Sequence, residues 1–306
     1  MVTNGLRLSF RSILLAGFVS LSLSCIRNYA DSTSVQQRTD APRNTLSSNT
    51  QQTAVNTVTF EGVSFSYDSS LKSTVKGEII EDLPLAQRTD KPDSVTPRHP
   101  VFRFLGDYPS KFKGSFFRPE VHIYSIERYR EQFLASSDAL GEFNNRLVDL
   151  EKILAHGAFP GNSVPFVNYL DASQVFCSHI RAVSTNQVDG VWFITQFNIE
   201  PALVNNRGLT YIFQGFTKDR KNLIVATFPV GLPFLPESYD SNTFGDYELP
   251  TFFVTGEKER DLRARKAYNE YLTSVLSQIS KADPADFNPC LSDFEKIIDS
   301  LKLDAR

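Results

Sequence analysis

Few residues of this sequence could do chemistry, and they are widely spaced. The closest pair is Ser178-His179, a hydroxyl beside an imidazole, which are the residue types of a nucleophile and its general base. The pair falls in an apolar run that predicts a β-strand, and adjacent side chains of a strand point to opposite faces. We therefore expect no hydrogen bond between them, and any partner of His179 has to come from elsewhere in the fold.

The other three histidines fall in different kinds of predicted element. His99 is in a loop, His122 is in a strand, and His156 follows the end of a helix, where a positive charge suits the helix dipole. A catalytic histidine needs an orienting partner, and the sequence indicates none. We expect structural or solvated roles for all four histidines.

Catalytic and cofactor motifs are absent from the sequence. It contains no GxSxG, HExxH or GxxxxGK[ST] pattern, and no GxGxxG that opens a helix after a strand. No CxxC or Cys/His spacing predicts a metal site, and no residue pattern predicts a cofactor. An active site assembled from distant residues would leave no such motif, so an enzyme stays an alternative.

Charge and composition restrict the class of protein. The net charge is -3 and hydrophobic residues make up 41% of the chain, as in ordinary globular proteins. Proteins that bind nucleic acid usually have a basic face and a high isoelectric point, whereas this chain has a pI near 5.9. We predict no binding to nucleic acid.

The N-terminal residues have the layout of an export signal. Arg7 and Arg11 precede an apolar run at 13–23, and small residues follow. The run is too short for a membrane helix, which needs about 20 apolar residues. We predict that residues 1–24 are a signal peptide that is cleaved after Ser24.

The residues around the cleavage point indicate what happens to Cys25. Leu21-Ser22-Leu23-Ser24-Cys25 resembles the signal of bacterial lipoproteins, in which cleavage leaves a cysteine that carries acyl chains. The resemblance implies a lipid on Cys25 and a membrane anchor on the periplasmic or outer face of the cell envelope. Ser22 stands where that family prefers an aliphatic residue, and Ser22 and Ser24 also suit ordinary signal peptidase. Secretion with an unmodified Cys25 is therefore the alternative.

Residues 25–57 have the composition of a flexible tether. They are mostly Ser, Thr, Asn, Gln, Asp and Arg, and such a segment buries too little apolar surface to fold. A coil of roughly 30 residues has an r.m.s. reach of about 30 Å, enough to hold a domain clear of lipid headgroups. A disordered leader of a secreted protein would have the same composition.

The remaining residues, 58–306, predict one α+β domain. Alternating or continuous apolar runs predict strands at 58–67, 74–81, 101–105, 121–126, 172–183, 191–198, 209–217 and 222–230. Apolar residues at helical spacing predict two consecutive helices within 127–155, and further helices near 268–279 and 289–301. Because strands dominate the middle and helices follow, we predict an antiparallel sheet of six to eight strands packed by helices.

A proline-rich loop at 231–253 is the predicted binding element. Long loops without regular structure often bind ligands, and aromatic rings suit a sugar, peptide or lipid. An equal alternative is that the rings seal the open end of the sheet, so two interpretations stand. The candidate binding residues are Phe234, Tyr239, Phe244, Tyr247 and Phe252.

Two cysteines remain in the predicted domain. Cys177 lies in a strand-like run and Cys290 at the start of a predicted helix. In an oxidising compartment they could form a disulfide if their Cα atoms lay within about 7 Å. The alternative is two buried, inert thiols.

Two segments carry a wider resemblance. The opening at 62–68 and the segment 213–217, which leads into 225–230, resemble a family of bacterial lipoproteins of unknown function. The Phe-Ser-Tyr opening is also similar to the PsbP-like α+β fold. These motifs are structural and imply no functional residue.

Three functions agree with these observations. The first is a non-catalytic, membrane-tethered module that binds a small molecule or a protein near the 231–253 loop. The second is an envelope hydrolase with a dispersed site, and the third is a structural or assembly factor. An enzyme should contain a deep pocket with converging polar groups and shifted acid or histidine pKa values.

Overall fold

The computed structural model describes residues 54–82, 96–133, 137–157, 163–199, 202–238, 243–244, 247–248 and 258–304. The predicted signal peptide, its cleavage point after Ser24, the lipidation residue Cys25 and most of the predicted tether lie outside these ranges.

The described residues form an α+β body with more strands than helices. The strands are β1 (Val55–Phe60), β2 (Val63–Asp68), β3 (Ser73–Ile80), β4 (His99–Gly106), β5 (Glu120–Ser125), β6 (Ser173–Gln174), β7 (Ser178–Ser184), β8 (Val188–Thr195), β9 (Phe197–Asn198), β10 (Thr210–Thr217), β11 (Asn222–Pro229), β12 (Thr243–Phe244), β13 (Tyr247–Glu248) and β14 (Lys302–Leu303). The helices are α1 (Asp107–Lys111), α2 (Ile126–Gln132), α3 (Ser137–His156), α4 (Lys258–Lys281) and α5 (Leu291–Asp299), with a 3-10 turn at Ser69–Leu71.

A seven-stranded antiparallel sheet is the centre of the fold, as the sequence predicts. Its strand order is β3-β4-β5-β11-β10-β8-β7, and the sheet is open rather than closed into a barrel. The strands β7 and β8, and the strands β10 and β11, are paired neighbours in this order. The predicted α+β class, with an antiparallel sheet packed by helices, is confirmed.

Both faces of this sheet are covered, which explains why its middle strands are apolar on both sides. Along β10, Tyr211 and Phe213 pack with α4, α5 and β2, and we name this side the α5 face. The alternate residues Ile212 and Phe216 pack with α2, α3 and the segment 163–170, and we name this side the α3 face. Burial on both sides replaces the usual polar face of an antiparallel strand with a second apolar one.

A three-stranded sheet, β1-β2-β14, covers part of the α5 face. The ring of Phe65 in β2 packs against Phe102 in β4, with ring centroids 4.9 Å apart. Strand β1 begins at Val55, three residues before the position at which the sequence analysis places the start of the domain. Strand β1 pairs with β2, so the polar residues of β1 have backbone hydrogen-bonding partners that composition alone does not indicate.

In the described part of the chain, no helix is long and apolar enough to cross a bilayer.

Candidate functional site

A half-open cavity of about 270 Å³ lies on the α3 face of the sheet. Strands β5 and β11 form its floor, and the chain after α1, the helix α2 and the segment 163–170 form its walls. The lining residues are Thr96, Phe116, Phe117, Arg118, Glu120, His122, Tyr129, Phe166, Asn168, Tyr169, Leu170, Val225 and Thr227.

Aromatic rings form one wall of the cavity. Phe116 and Phe117 meet edge to face with centroids 5.0 Å apart, and Phe117 meets Phe166 in the same way at 5.8 Å. Edge-to-face packing leaves ring surface available on the open side. Phe116 is 46% exposed and lines the cavity, so its ring is accessible to a ligand.

A chain of hydrogen bonds runs under the opposite side of the cavity. His99 Nδ1 lies 2.7 Å from the Pro97 carbonyl oxygen, and His99 Nε2 lies 2.9 Å from His122 Nδ1. His122 Nε2 lies 3.0 Å from Glu120 Oε2, and Arg103 Nε donates to Glu120 Oε1 at 2.8 Å. We call these four side chains the His-His-Glu-Arg chain.

Strand pairing places the members of this chain together. In β5, Glu120 and His122 are two residues apart and share the α3 face. Arg103 of β4 is the direct cross-strand partner of Glu120, and Val101 is the partner of His122. Glu78 of β3 contacts Arg103 from the next strand. Side chains on three neighbouring strands therefore meet without any sequence motif.

Hydrogen-bond geometry fixes the protons along the chain. A carbonyl oxygen only accepts, so His99 Nδ1 carries the hydrogen towards Pro97 and neutral His99 must accept at Nε2. His122 Nδ1 then donates to His99. One proton has to lie between His122 Nε2 and Glu120 Oε2, since two lone pairs cannot face each other at 3.0 Å.

Two shifted pKa values agree with this placement. Burial, followed by the nearby His122, lowers the pKa of His99 to about 4, so His99 is neutral at physiological pH. Burial alone would raise the pKa of the Glu120 carboxyl, but hydrogen bonds and charges from His122 and Arg103 outweigh it and lower that pKa. Glu120 is therefore a carboxylate that accepts hydrogen bonds from Arg103 and His122.

Three polar groups of the cavity lining have no partner among the described residues: the Tyr129 hydroxyl, the Arg118 guanidinium and Asn168 Oδ1. Tyr129 is only 2% exposed and lines the cavity, yet its hydroxyl makes no hydrogen bond to any described residue. Burial raises the pKa of this phenol, so it stays protonated as a donor. Arg118 is exposed at the rim, and no described carboxylate pairs with its guanidinium. Thr227 Oγ1 donates to the Arg118 carbonyl at 2.7 Å and fixes the backbone there.

The Ser178-His179 pair contradicts the sequence prediction. Ser178 Oγ donates to His179 Nδ1 at 3.1 Å, and His179 Nε2 donates to the Ala282 carbonyl at 3.0 Å. The cause is a bulge between β7 and β8, where His179 adopts a positive φ of 49°. The bulge turns neighbouring side chains towards each other, which a regular strand does not do. Ser178 itself is buried, with 9% exposed.

The predicted binding loop is described only in part. Phe234 packs partly buried against the core, beside the buried Leu232 and Leu235. Phe244 and Tyr247 pair with each other across the short β12-β13 hairpin. Tyr239 and Phe252 lie outside the described residues. The start of the loop therefore covers the core, and the aromatic cavity is built from other parts of the chain.

Both cysteines of the described domain are free thiols. Cys177 Sγ accepts a hydrogen bond from the Val164 amide at 3.4 Å, and burial raises its pKa to about 12. A thiol with so high a pKa is a poor nucleophile. Cys290 Sγ lies 3.2 Å from Ser292 Oγ. The structure thus contains the unpaired alternative rather than a Cys177–Cys290 disulfide.

Among the described residues, no group of three or more His, Cys, Asp or Glu side chains is arranged to hold a metal ion.

The structure brings together residues that the sequence left in separate elements. His99 is the buried first residue of a strand rather than part of a loop. One signal was available, because Glu120 directly precedes the strand predicted at 121–126, and residues two apart in an extended segment, such as Glu120 and His122, share a face. Nothing in the sequence indicates that Tyr129 and the phenylalanines of the aromatic wall line a cavity, since aromatic residues at such positions usually belong to the core.

Comparisons with models of protein families, with curated proteins and with solved structures give no match to this chain.

Proposed function

We propose that this protein is an exported, membrane-tethered module that binds a small ligand in the cavity over β5 and β11. The observation that carries the proposal is the cavity itself, where aromatic rings face a polar floor and the hydroxyl of Tyr129 has no hydrogen-bond partner among the described residues. A phenol hydroxyl that lines a cavity can donate to a bound molecule. A ligand group is therefore a suitable partner for the hydroxyl of Tyr129.

The size of the cavity limits the ligand. Its volume of about 270 Å³ is just below the usual range for small-molecule sites, which is about 300 to 1,000 Å³. A ligand of this size is a small metabolite or one end of a longer chain. A folded protein partner would need a much larger surface than this cavity offers.

The His-His-Glu-Arg chain favours binding over catalysis. Both nitrogens of His122 and both oxygens of Glu120 are already hydrogen-bonded. A general base at neutral pH needs a free lone pair and a pKa near 7, whereas the pKa of Glu120 is lowered. The chain therefore acts as a rigid floor that holds the cavity open.

A screen of small aromatic and aliphatic compounds by ligand-observed NMR tests the binding proposal. We expect hits whose affinity falls in Phe116→Ala, because that substitution removes an exposed wall of the cavity and little of the core. Leu262→Ala is the matched control, since Leu262 is 57% exposed on α4, which packs on the α5 face. No hits, or hits unaffected by Phe116→Ala, would reject the cavity as the binding site.

The proposed attachment to a membrane rests on the N-terminal residues. The short apolar run, the lipoprotein-like residues before Cys25 and the polar segment 25–57 together support a lipid-anchored body on a flexible tether. Labelling with a radioactive fatty acid tests it. Wild type should be labelled and sediment with membranes, while Cys25→Ala should be unlabelled and released. An unlabelled wild type, or a Cys25→Ala protein that still sediments, would contradict the proposal.

Hydrolysis is a second candidate function, favoured by the Ser178-His179 pair. A serine donates to an imidazole whose other nitrogen is held by the Ala282 carbonyl, which is the order of a nucleophile, base and orienting group. A positive φ at a non-glycine residue such as His179 is often found at functional sites. A fluorophosphonate probe should label wild type and not Ser178→Ala if this candidate is correct; an unlabelled wild type would reject it.

A further inference from the structure

We infer that the ligand of this cavity carries an anionic oxygen group, such as a carboxylate, on an apolar body. This inference rests on the proposed binding function and specifies the class of ligand. It follows from the Tyr129 hydroxyl and the Arg118 guanidinium, two hydrogen-bond donors of the cavity without a partner among the described residues, and from the positive charge of Arg118.

Tyr129 supplies the first donor. Its ring is stacked on Phe143, with centroids 4.5 Å apart, and on Phe133 at 5.6 Å, so the side chain cannot turn away to find another partner. Its burial keeps the phenol protonated. A fixed phenol without a partner suits a strong acceptor, and charged acceptors form the stronger hydrogen bonds.

Arg118 supplies the second donor and a positive charge. Its carbonyl is held by Thr227, while its guanidinium at the rim has no carboxylate partner among the described residues. Arginine binds carboxylates with two parallel N–H donors. A ligand whose anionic end faces Arg118 and Tyr129 would place its apolar body against the aromatic wall.

Glu120, the one carboxylate among the described residues that line the cavity, does not oppose an anion. Glu120 is hydrogen-bonded through one oxygen to Arg103 and shares a proton with His122 through the other. Both oxygens of Glu120 are thus occupied, and Glu78 contacts Arg103 from β3. Arg118 lines the cavity without a described carboxylate partner, so its guanidinium makes the rim positive.

The side-chain amide of Asn168 can be oriented to donate a hydrogen bond to the same ligand. Asn168 Nδ2 donates to the Tyr124 hydroxyl at 3.3 Å, and Asn168 Oδ1 has no partner among the described residues. A half-turn of this amide lets Tyr124 donate to Oδ1 and frees an N–H donor instead. The cavity would then hold three donors and no free acceptor at these positions, which disfavours a neutral, hydroxyl-rich ligand.

Isothermal titration with matched probe pairs tests this inference. The probes are phenylacetate with phenylacetamide, and hexanoate with hexanamide, because each pair differs in charge and little in shape. We expect the carboxylate of at least one pair to bind at least about tenfold more tightly than its amide, which corresponds to about 1.4 kcal/mol. Arg118→Gln should abolish the preference, and Tyr129→Phe should reduce it. Arg128→Gln is the control, since Arg128 has the same charge and lies on α2 outside the cavity lining.

The outcomes separate this inference from the proposed function. Equal binding of acid and amide, or a preference that survives Arg118→Gln, would overturn the anionic ligand and leave a neutral-ligand site. If neither member of either pair binds and the compound screen has no hits, both the inference and the proposed function are wrong. Circular dichroism of each variant confirms that lost binding does not reflect lost fold.

Discussion

The buried His99 should make the stability of this protein fall as the pH is lowered from 7 to 5. Its folded pKa is about 4, while a histidine in an unfolded chain titrates near 6.5. Between these values the unfolded state binds a proton that the folded state does not, so acid favours unfolding. The stabilisation is complete above pH 6.5 and is lost as the pH falls towards 4.

The size of this effect follows from the two pKa values. At pH 5 the unfolded histidine is almost fully protonated and the folded one almost fully neutral, which costs about 2 kcal/mol by linkage. At pH 7 the cost is only about 0.2 kcal/mol. Because His99 is 3% exposed, little of this difference is lost to solvent screening. The interval from pH 5 to pH 7 lies above the range in which most carboxylates titrate.

Urea unfolding of wild type and His99→Gln at pH 7 and pH 5 measures the effect. We expect the decrease in unfolding free energy between the two pH values to be about 2 kcal/mol smaller in the variant. His156→Gln is the control and should keep the wild-type decrease, because His156 is exposed at the end of α3. An identical decrease in wild type and His99→Gln would refute the buried, neutral histidine.

Three further predictions concern stability. Gly215→Ala should destabilise the protein by about 2 to 3 kcal/mol in urea unfolding, because its Cβ would lie 2.4 Å from the Asp189 carbonyl oxygen. Gly141→Ala should instead stabilise it by up to about 1 kcal/mol, since Gly141 is in α3 with open space around it. Tyr129→Phe should leave the melting temperature unchanged, because the hydroxyl has no partner to lose. A destabilised Tyr129→Phe would mean that this hydroxyl is bonded within the protein.

The fold could be predicted where hydrophobic periodicity is strong. The hairpin of β10 and β11 and the consecutive helices α2 and α3 were predicted close to their observed limits, because each has an uninterrupted apolar pattern. The small sheet was harder to predict. Strand β14 has two residues and forms only because β2 offers it an edge, which no local pattern records.

The candidate site could not be predicted from local patterns, since its groups meet through strand pairing. Arg103 and Glu120 are 17 residues apart and become direct partners only when β4 and β5 are in register. The Ser178-His179 hydrogen bond was missed for another reason. A bulge inserts residues into one strand, and the sequence contains no glycine that would mark the positive φ of His179.

Side-chain NMR of protein labelled with ¹⁵N-histidine tests the central claim most directly, because the chain has only four histidines. A carboxylate probe that binds the cavity should shift the imidazole signals of His122 and of His99, which is hydrogen-bonded to it, and leave His156 and His179 unchanged. A probe that binds but shifts His179 instead, or shifts none of the four, would contradict the cavity over β5 and β11 as the functional site.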